Sequence, residues 1–260
     1  MSDNHQTALV TGGTSGIGLA IVQSLVKDGT AVYICARDAA RLESTIASLR
    51  EDGANIRGSV CDIRSPEQIR ELVSNAVSEM GPINTLINNA GRSGGGVTKE
   101  VSHETWNDVI DTNLNSVFYV TTEVLNNGKI LDGPRGRIVN IASTGGKQGV
   151  LHGAPYSAAK HGVVGFTKAL GLELARSGVT VNAVCPGFVE TPMAERVRSA
   201  YAEIWNVSEH EAKERVSERI PIGRYVTPEE VAAMVRYLLS EAADSVTAQA
   251  LNVCGGLGNY

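Results

Sequence analysis

The sequence predicts an α/β fold: a doubly wound, parallel, seven-stranded sheet with helices on both faces, built as a single domain over residues 1–260. Three observations predict it. Short apolar runs alternate with longer amphipathic stretches along the whole chain. Several runs are β-branched and nearly continuous, as in Ala31-Val32-Tyr33-Ile34-Cys35, the pattern of a strand covered on both faces. The chain, at 260 residues, is long enough to bury such a sheet, and α/β chains of this size are often one domain.

The first strand, 7–11, runs straight into a glycine cluster, and a helix starts near Gly16. A second strand, 31–36, leads past Asp38 to a helix with Leu42, Ile46 and Leu49 at helical spacing. After the third strand, 56–61, Ser65-Pro66-Glu67-Gln68 reads as an N-cap, a proline at the first helical position and a capping-box partner. The fourth strand, 85–89, ends in Asn88-Asn89-Ala90-Gly91, and the fifth is 137–143. A long helix, 155–176, follows, and then the sixth strand, 179–185. Thr227-Pro228-Glu229-Glu230 repeats the capping device before the last strand, 249–253. This β-α-β alternation implies a parallel sheet with right-handed crossovers. The stretch 190–220 breaks the rhythm, carrying Met193, Tyr201 and Trp205 among many charges. It reads as a helical lid segment, at about 190–222, on the carboxyl side of the sheet; a plain surface insertion is the alternative.

Composition narrows the function. Hydrophobic content of 42% with 20% charged residues is that of a globular chain. A formal net charge of -5 argues against a broad basic field for nucleic acid. No apolar run approaches the roughly 20 residues of a membrane span, and the polar start 1–7 shows no secretory signal. Cys35, Cys61, Cys185 and Cys254 each sit in or beside apolar segments without CxxC spacing. They read as buried free thiols in a reducing cytoplasm, with no metal site.

The glycine cluster is Thr11-Gly12-Gly13-Thr14-Ser15-Gly16-Ile17-Gly18. Placed between a strand and a helix, it predicts a dinucleotide site of Rossmann type. Glycine permits a tight turn and close backbone approach, and the helix offers free N–H groups to a pyrophosphate. Thr14 and Ser15 add hydroxyls. A site for NAD would end the second strand with an acidic residue to hold the ribose hydroxyls. Here that strand ends Cys35-Ala36-Arg37-Asp38. Ala36 leaves room for a 2′-phosphate and Arg37 offers it a fork of donors, so NADPH is expected over NADH. Asp38 is assigned to the N-cap of the next helix, turned away. Asp62, with Ile63 beside it, either reaches the adenine or caps a turn. Asn89 and Gly91 either approach the cofactor or simply end a strand.

Tyr156 and Lys160 are four apart at the start of a helix introduced by Pro155, so both point to one face. A phenol titrates near 10, and an ammonium about 4 Å away at an effective dielectric near 20 favours phenolate by roughly 4 kcal/mol, or about three pKa units. That coupling is expected to bring Tyr156 toward proton donation at neutral pH. Ser143 closes the fifth strand, where its hydroxyl can hold a substrate oxygen beside Tyr156. Asn113, in Asn113-Leu114-Asn115-Ser116, can satisfy a water or a backbone group. Singly, each of these has an ordinary structural reading. Together they fall at carboxyl ends of strands or on adjacent helices, where open α/β sheets bind ligands.

With Pro186-Gly187-Phe188-Val189-Glu190-Thr191 after the sixth strand, this set resembles the short-chain dehydrogenase/reductases. The likeness runs from Thr7 to Gly256. It implies that Tyr156 is the acid, that Lys160 tunes it and binds the nicotinamide ribose, that Ser143 orients the carbonyl, and that Asn113 holds a water in a proton relay. Pro186, Gly187, Val189 and Thr191 would lie against the nicotinamide. A narrower likeness appears in Ala142-Ser143-Thr144-Gly145-Gly146-Lys147-Gln148-Gly149-Val150, in Asn89-Ala90-Gly91-Arg92, in Gly94-Gly95-Gly96 and in the ending Asn252–Tyr260. These resemble the ketoreductases of aromatic, type II polyketide synthases. That family reduces one ketone of a carrier-protein-bound poly-β-ketone, at the carbon that becomes C9, and works as a homotetramer. It carries a proline where this chain has Ser93; the reaction class is unaffected, and the configuration of the alcohol is left open.

On the substrate side, Gly94, Gly95, Thr144, Gln148, Val150, Met193 and Tyr201 are candidates to line the pocket, with core packing as the rival reading. An acyl carrier protein is acidic, as this chain is, so docking needs a local basic patch. Arg64 and Arg92 follow strand ends on the cofactor side and are the candidates to grip a phosphopantetheine phosphate. The long helix carries Gly162, Gly165 and Gly171, each costing up to about 1 kcal/mol in a helix interior. Close packing at a subunit interface would offset that cost. A fatty-acid 3-oxoacyl-carrier-protein reductase would share all the catalytic residues and is the rival enzyme. A redox-sensing regulator that binds NADP without turnover is the rival of another class, and it would have no need for Tyr156 and Lys160.

Overall fold

The computed structural model describes residues 6–260, so most of the polar start lies outside the described residues. Seven strands, β1 (Thr7–Thr11), β2 (Ala31–Ala36), β3 (Ile56–Val60), β4 (Thr85–Asn88), β5 (Gly136–Ile141), β6 (Val179–Pro186) and β7 (Ala250–Val253), are present among the described residues. They form one sheet in the order β3-β2-β1-β4-β5-β6-β7, with every neighbouring pair parallel. The nine α-helices among these residues are α1 (Gly16–Lys27), α2 (Ala39–Glu51), α3 (Pro66–Met80), α4 (His103–Ile110), α5 (Ser116–Asn127), α6 (Ala154–Glu173), α7 (Pro192–Trp205), α8 (Glu209–Glu218) and α9 (Pro228–Leu239). The expected strands all occur, with ends shifted by no more than two residues. Two shifts have a local cause. Asn89 leaves β4 because its N–H bonds the Thr11 hydroxyl, and Ser143 leaves β5 to cap a short 3-10 turn over Thr144–Gly146.

The side-chain alternation of the strands explains the two layers of helices. Ala8, Val10, Val32 and Ile34 face Ile21 of α1, Leu42 and Leu49 of α2, and Val231, Val235 and Leu238 of α9. Leu9, Tyr33 and Leu86 face the opposite way, against Ile69 and Leu72 of α3, Val120 and Val124 of α5, and Leu170 of α6. Both faces are dry, which is why the strands read as continuous apolar runs. The order reverses between β1 and β4, and a cleft opens at the carboxyl ends of the strands around that point.

The two capping signals have different outcomes. Thr227 and Glu230 form the reciprocal capping box expected of them. Ser65 caps α3 through Gln68 N–H, but the Gln68 side chain turns instead to the N–H of Asp62. Only half of that box is made, because the chain entering from β3 offers a nearer donor. The stretch 190–220 folds as α7 and α8. Glu190 ties them together, accepting from Arg198 on α7 and from Lys213 on α8 at 2.8 Å. All four cysteines are free and buried, as expected. None of the described helices is long and apolar enough to cross a membrane.

The glycines of α6 divide. A Cβ on Gly162 would lie 2.7 Å from the Leu114 side chain, and one on Gly171 would lie 2.7 Å from the main-chain nitrogen of Ala248. Packing within the chain therefore accounts for both, and the expected subunit contact is not needed for them. Gly165 faces open space. Gly171→Ala should lower the stability of the fold by about 1–3 kcal/mol through overpacking. Gly165→Ala should leave it unchanged or raise it by up to about 1 kcal/mol. Equal losses in urea unfolding would contradict this division.

Candidate active site

The glycine loop is shaped by two positions. Gly12 and Gly16 have φ of 68° and 52°, a region that strains other residues. Gly18 has a packing role in the loop. It is absent from the cleft wall, and its own Cβ would come within 2.2 Å of the Gly12 carbonyl oxygen. It lets the first turn of α1 press against the loop. Gly12, Thr14, Ser15, Gly16 and Ile17 do line the cleft. Ser15 stands at the N-cap of α1 without a side-chain cap bond, so the helix presents uncapped N–H groups there.

Asn89 stitches this loop to β4. Its Nδ2 donates to the carbonyls of Thr11 and Gly12, at 3.0 and 3.1 Å. The side chain is thus occupied by the scaffold, and Asn89 shapes the cofactor side by holding the loop. At the end of β2, Asp38 caps α2 by accepting from Arg41 N–H, as expected, and faces away from the cleft wall. Arg37 lines the cleft, and so does Arg41, which the sequence reading missed. Arg41 lies in the first turn of α2, just after Arg37, and a second arginine so close to the end of β2 was a signal that could have found it. Asp62 and Ile63 both line the cleft, so position alone keeps the adenine reading open. Asp62 also caps its turn, accepting from Arg64 N–H at 3.0 Å, and the Arg64 side chain holds its carboxyl below the usual range.

A buried polar chain crosses the sheet beneath the site. Asn88 Nδ2 donates to Thr121 on α5 at 2.9 Å and to Asn140 on β5 at 2.8 Å; Asn140 Nδ2 donates to Thr167 on α6 at 2.9 Å. Thr167 in turn donates to the carbonyl of Val163. Just before α5 the helix widens into a π-type turn over Asp111–Asn115, which carries Asn113. Asn113 is completely buried. Its Oδ1 accepts from Arg92 N–H at 3.1 Å and its Nδ2 donates to Val109 at 2.9 Å. Gly91 fits between this amide and Lys160: a Cβ there would be 2.8 Å from Asn113 Oδ1 and 3.7 Å from Lys160 Nζ.

Tyr156 and Lys160 rise from the first turns of α6 into the same cleft, opposite Ser143. Ser143 Oγ is fixed by Gly145 N–H at 2.9 Å, and it hydrogen-bonds the Tyr156 phenol. The expected electrostatic coupling is corrected here. Lys160 is 5% exposed, its Nζ donates to the Ile141 carbonyl at 2.8 Å, and it lies 5.9 Å from the Tyr156 ring centre. For the Tyr156 phenol, desolvation is the largest influence. Burial raises the Tyr156 phenol above its ordinary value of 10.0, with the Ser143 bond pulling the other way. Burial likewise lowers Lys160 to about 8. The chain alone thus keeps Tyr156 a neutral phenol with its proton in place.

Pro186, Gly187, Val189 and Thr191 form the wall facing the glycine loop. Thr191 caps α7 through Ala194 N–H, and its methyl group would lie 3.1 Å from a Cβ on Gly16. The remaining wall includes Gly94, Gly95, Thr144, Gln148, Val150, Met193 and Tyr201, all brought into one cleft of about 770 Å³. Tyr201 stacks on Trp205 with ring centres 4.7 Å apart. Phe188, His152 and Leu257 also line the cleft and were missed. The two candidate docking arginines are not the free basic patch expected. Arg64 pairs with Asp62 and with Asp108 at 2.6 Å, and Arg92 pairs with the second oxygen of Asp108. The Asp108 carboxylate from α4 gathers both cations at the rim.

The comparisons with known proteins agree with this geometry. A family model described as short chain dehydrogenase matches residues 6–202. A protein assigned as a ketoacyl reductase of the granaticin polyketide synthase in Streptomyces violaceoruber is 64% identical over 253 residues, 97% of this chain and 93% of the relative. One assigned as a ketoacyl reductase in Streptomyces coelicolor is 61% identical over 259 residues, 100% of this chain and 99% of the relative. Among solved structures, a single-residue variant of the actinorhodin polyketide ketoreductase, crystallised with NADPH, superimposes with a TM-score of 0.97 at 61% identity, covering 99% of this chain and 98% of that one.

The buried ammonium has a consequence for stability. Below about pH 8 the folded and unfolded chains both protonate Lys160, and its desolvation cost is fully present. Between about 8 and the ordinary 10.5 only the unfolded chain holds that proton, so the folded state gains as pH rises. Denaturation of the parent chain and Lys160→Met across this window should show the parent's relative stability rising. A constant difference would contradict a depressed Lys160.

Proposed function

The chain belongs to the short chain dehydrogenase family, and from that premise we propose that it is an NADPH-dependent ketoreductase of aromatic polyketide biosynthesis. Its substrate on this reading is a poly-β-ketone borne by an acyl carrier protein, and the ketone reduced is the one whose carbon becomes C9. The observation that carries the reading is the convergence of Tyr156, Ser143 and Lys160 with the uncapped start of α1 in one cleft. The identities above 60% to a ketoacyl reductase of the granaticin polyketide synthase and to the actinorhodin polyketide ketoreductase variant support the substrate class.

The residues fit the cofactor. The glycine turn and the free N–H groups of α1 would hold the pyrophosphate, and Arg37 with Arg41 would hold the 2′-phosphate. Two Lys160 donors not used by Ile141 would hold the nicotinamide ribose. Thr191 and Val189 would lie against the nicotinamide, beside Pro186 and Gly187. When bound, NADPH supplies the hydride that adds to the ketone carbon.

The chain's own part is the proton. Ser143 holds the carbonyl oxygen, and Tyr156 transfers its phenolic proton to that oxygen as negative charge develops. A neutral, partly buried phenol suits this direction, since it arrives at the reaction with its proton. The Lys160 ammonium stabilises the phenolate that results. Each polar side-chain atom of Asn113 has one partner and capacity for a second, and Asn113 would hold the water of a proton relay. Helices α7 and α8 form the lid, with Met193 and Tyr201 on its inner face. The paired Arg64 and Arg92 could meet a phosphopantetheine phosphate by exchanging it for Asp108. A homo-oligomer in the cytoplasm completes the reading.

Consumption of NADPH by the purified chain with a rigid fused bicyclic ketone and with a short linear 3-oxoacyl thioester tests the substrate class. A preference for the bicycle of at least about tenfold in kcat/KM is expected, equivalent to about 1.4 kcal/mol. The opposite preference would point to fatty-acid reduction.

A further inference from the structure

The turn that carries Ser143 into the site is gripped from outside by the last strand and the residues after it. Lys147 Nζ donates to the carbonyl of Ala250 at 3.2 Å, to Asn252 Oδ1 at 3.0 Å and to the main-chain oxygen of Tyr260 at 3.1 Å. All three hydrogens of the ammonium are therefore directed at residues over 100 positions away in sequence. The ammonium also lies over the Tyr260 ring, 5.0 Å from its centre. The Tyr260 hydroxyl donates back to the carbonyl of Thr144 at 3.2 Å. Thr144 is the neighbour of Ser143, and the same carbonyl receives Lys147 and Gln148 N–H.

The segment after β7 is itself folded for this contact. Asn252 Nδ2 donates to the Gly258 carbonyl at 2.9 Å, and Gly258 N–H donates to Cys254 Sγ at 3.3 Å. A Cβ on Gly258 would collide with the Tyr260 hydroxyl at 2.5 Å. Between these points Leu257 reaches the cleft wall and packs with Ala194, Val216 and Ile220 of the lid region. Ile222 N–H bonds the Gly255 carbonyl. One segment thus touches both the turn that holds Ser143 and the end of the lid.

We propose that Lys147 and Tyr260 are positioning residues for the reduction: a clamp that fixes the Thr144–Val150 wall, and through it Ser143, against the segment after β7. The clamp acts through Ser143, because the Ser143 hydroxyl takes its direction from Gly145 N–H in the turn that Lys147 and Tyr260 hold. The inference rests on the reading that this cleft reduces a ketone. A carbonyl oxygen displaced by a fraction of an ångström from Tyr156 and Ser143 reacts more slowly without binding less tightly.

Lys147→Met, Tyr260→Phe and the double variant test it with the bicyclic ketone and NADPH. Lys147→Met should lower kcat about tenfold and Tyr260→Phe about threefold, with the Kd for NADPH changed by less than about twofold. The double variant should be no slower than Lys147→Met, since both residues act on one turn. Hydrogen exchange of the amides from 145 to 148 should quicken in both single variants, while the glycine loop keeps its protection. Unchanged kcat and exchange, multiplying effects in the double variant, or matching losses of NADPH affinity would overturn the clamp. Should the parent chain reduce no ketone, the functional reading fails, and the exchange pattern alone decides the clamp. If Lys147→Met does not fold, the half-exposed Tyr260→Phe decides it.

Discussion

The site depends first on the buried amide chain that runs from Thr121 through Asn88 and Asn140 to Thr167. These side chains are almost wholly removed from water, so any that lacked a partner would cost about 1–3 kcal/mol. They can all be satisfied only in the register that sets Asn88 opposite Asn140 on β4 and β5. The chain thereby fixes α5 and α6 to the sheet at defined heights. Asn113 stands in the turn just before α5, and Tyr156 with Lys160 in the first turns of α6. An apolar ladder of the same volume would tolerate sliding; a hydrogen-bonded one does not.

On that frame the chemistry is set by dehydration more than by charge pairing. Tyr156 and Lys160 share a cleft, yet the dominant influence on each is loss of water. The phenol is held protonated and the ammonium is made easier to discharge. Ser143 opposes the first effect through its hydrogen bond, so the serine adjusts the acidity of the phenol beside it. Around this apolar centre the fixed charges sit at the rim, where Asp62 and Asp108 gather Arg64 and Arg92.

Much of this could be read from the sequence, for local reasons. Strands covered on both faces announce themselves as apolar runs, and Asp38, Ser65 and Thr227 announce helix starts. The glycine loop and the Tyr156–Lys160 spacing depend on neighbours within one or two turns. What escaped depends on residues far apart in the chain. The half-made box at Ser65 needed the position of Asp62. The pairing of Arg64 and Arg92 needed Asp108, and the packing role of Gly18 needed the Gly12 carbonyl. The direction of the Tyr156 shift needed the depth of its burial, which no spacing reports. The π-type turn at Asn113 has no composition of its own.

In the proposed mechanism, one cleft brings a nicotinamide hydride to a ketone carbon while Tyr156 supplies the proton. Reduction of a bicyclic ketone with NADPH deuterated on the transferred face of nicotinamide C4 tests it directly, by mass and NMR analysis of the alcohol. One deuterium per turnover is expected on the new carbinol carbon, with loss of that product by at least about 100-fold in Tyr156→Phe. An alcohol formed without the label, or undiminished turnover in the variant, would contradict it.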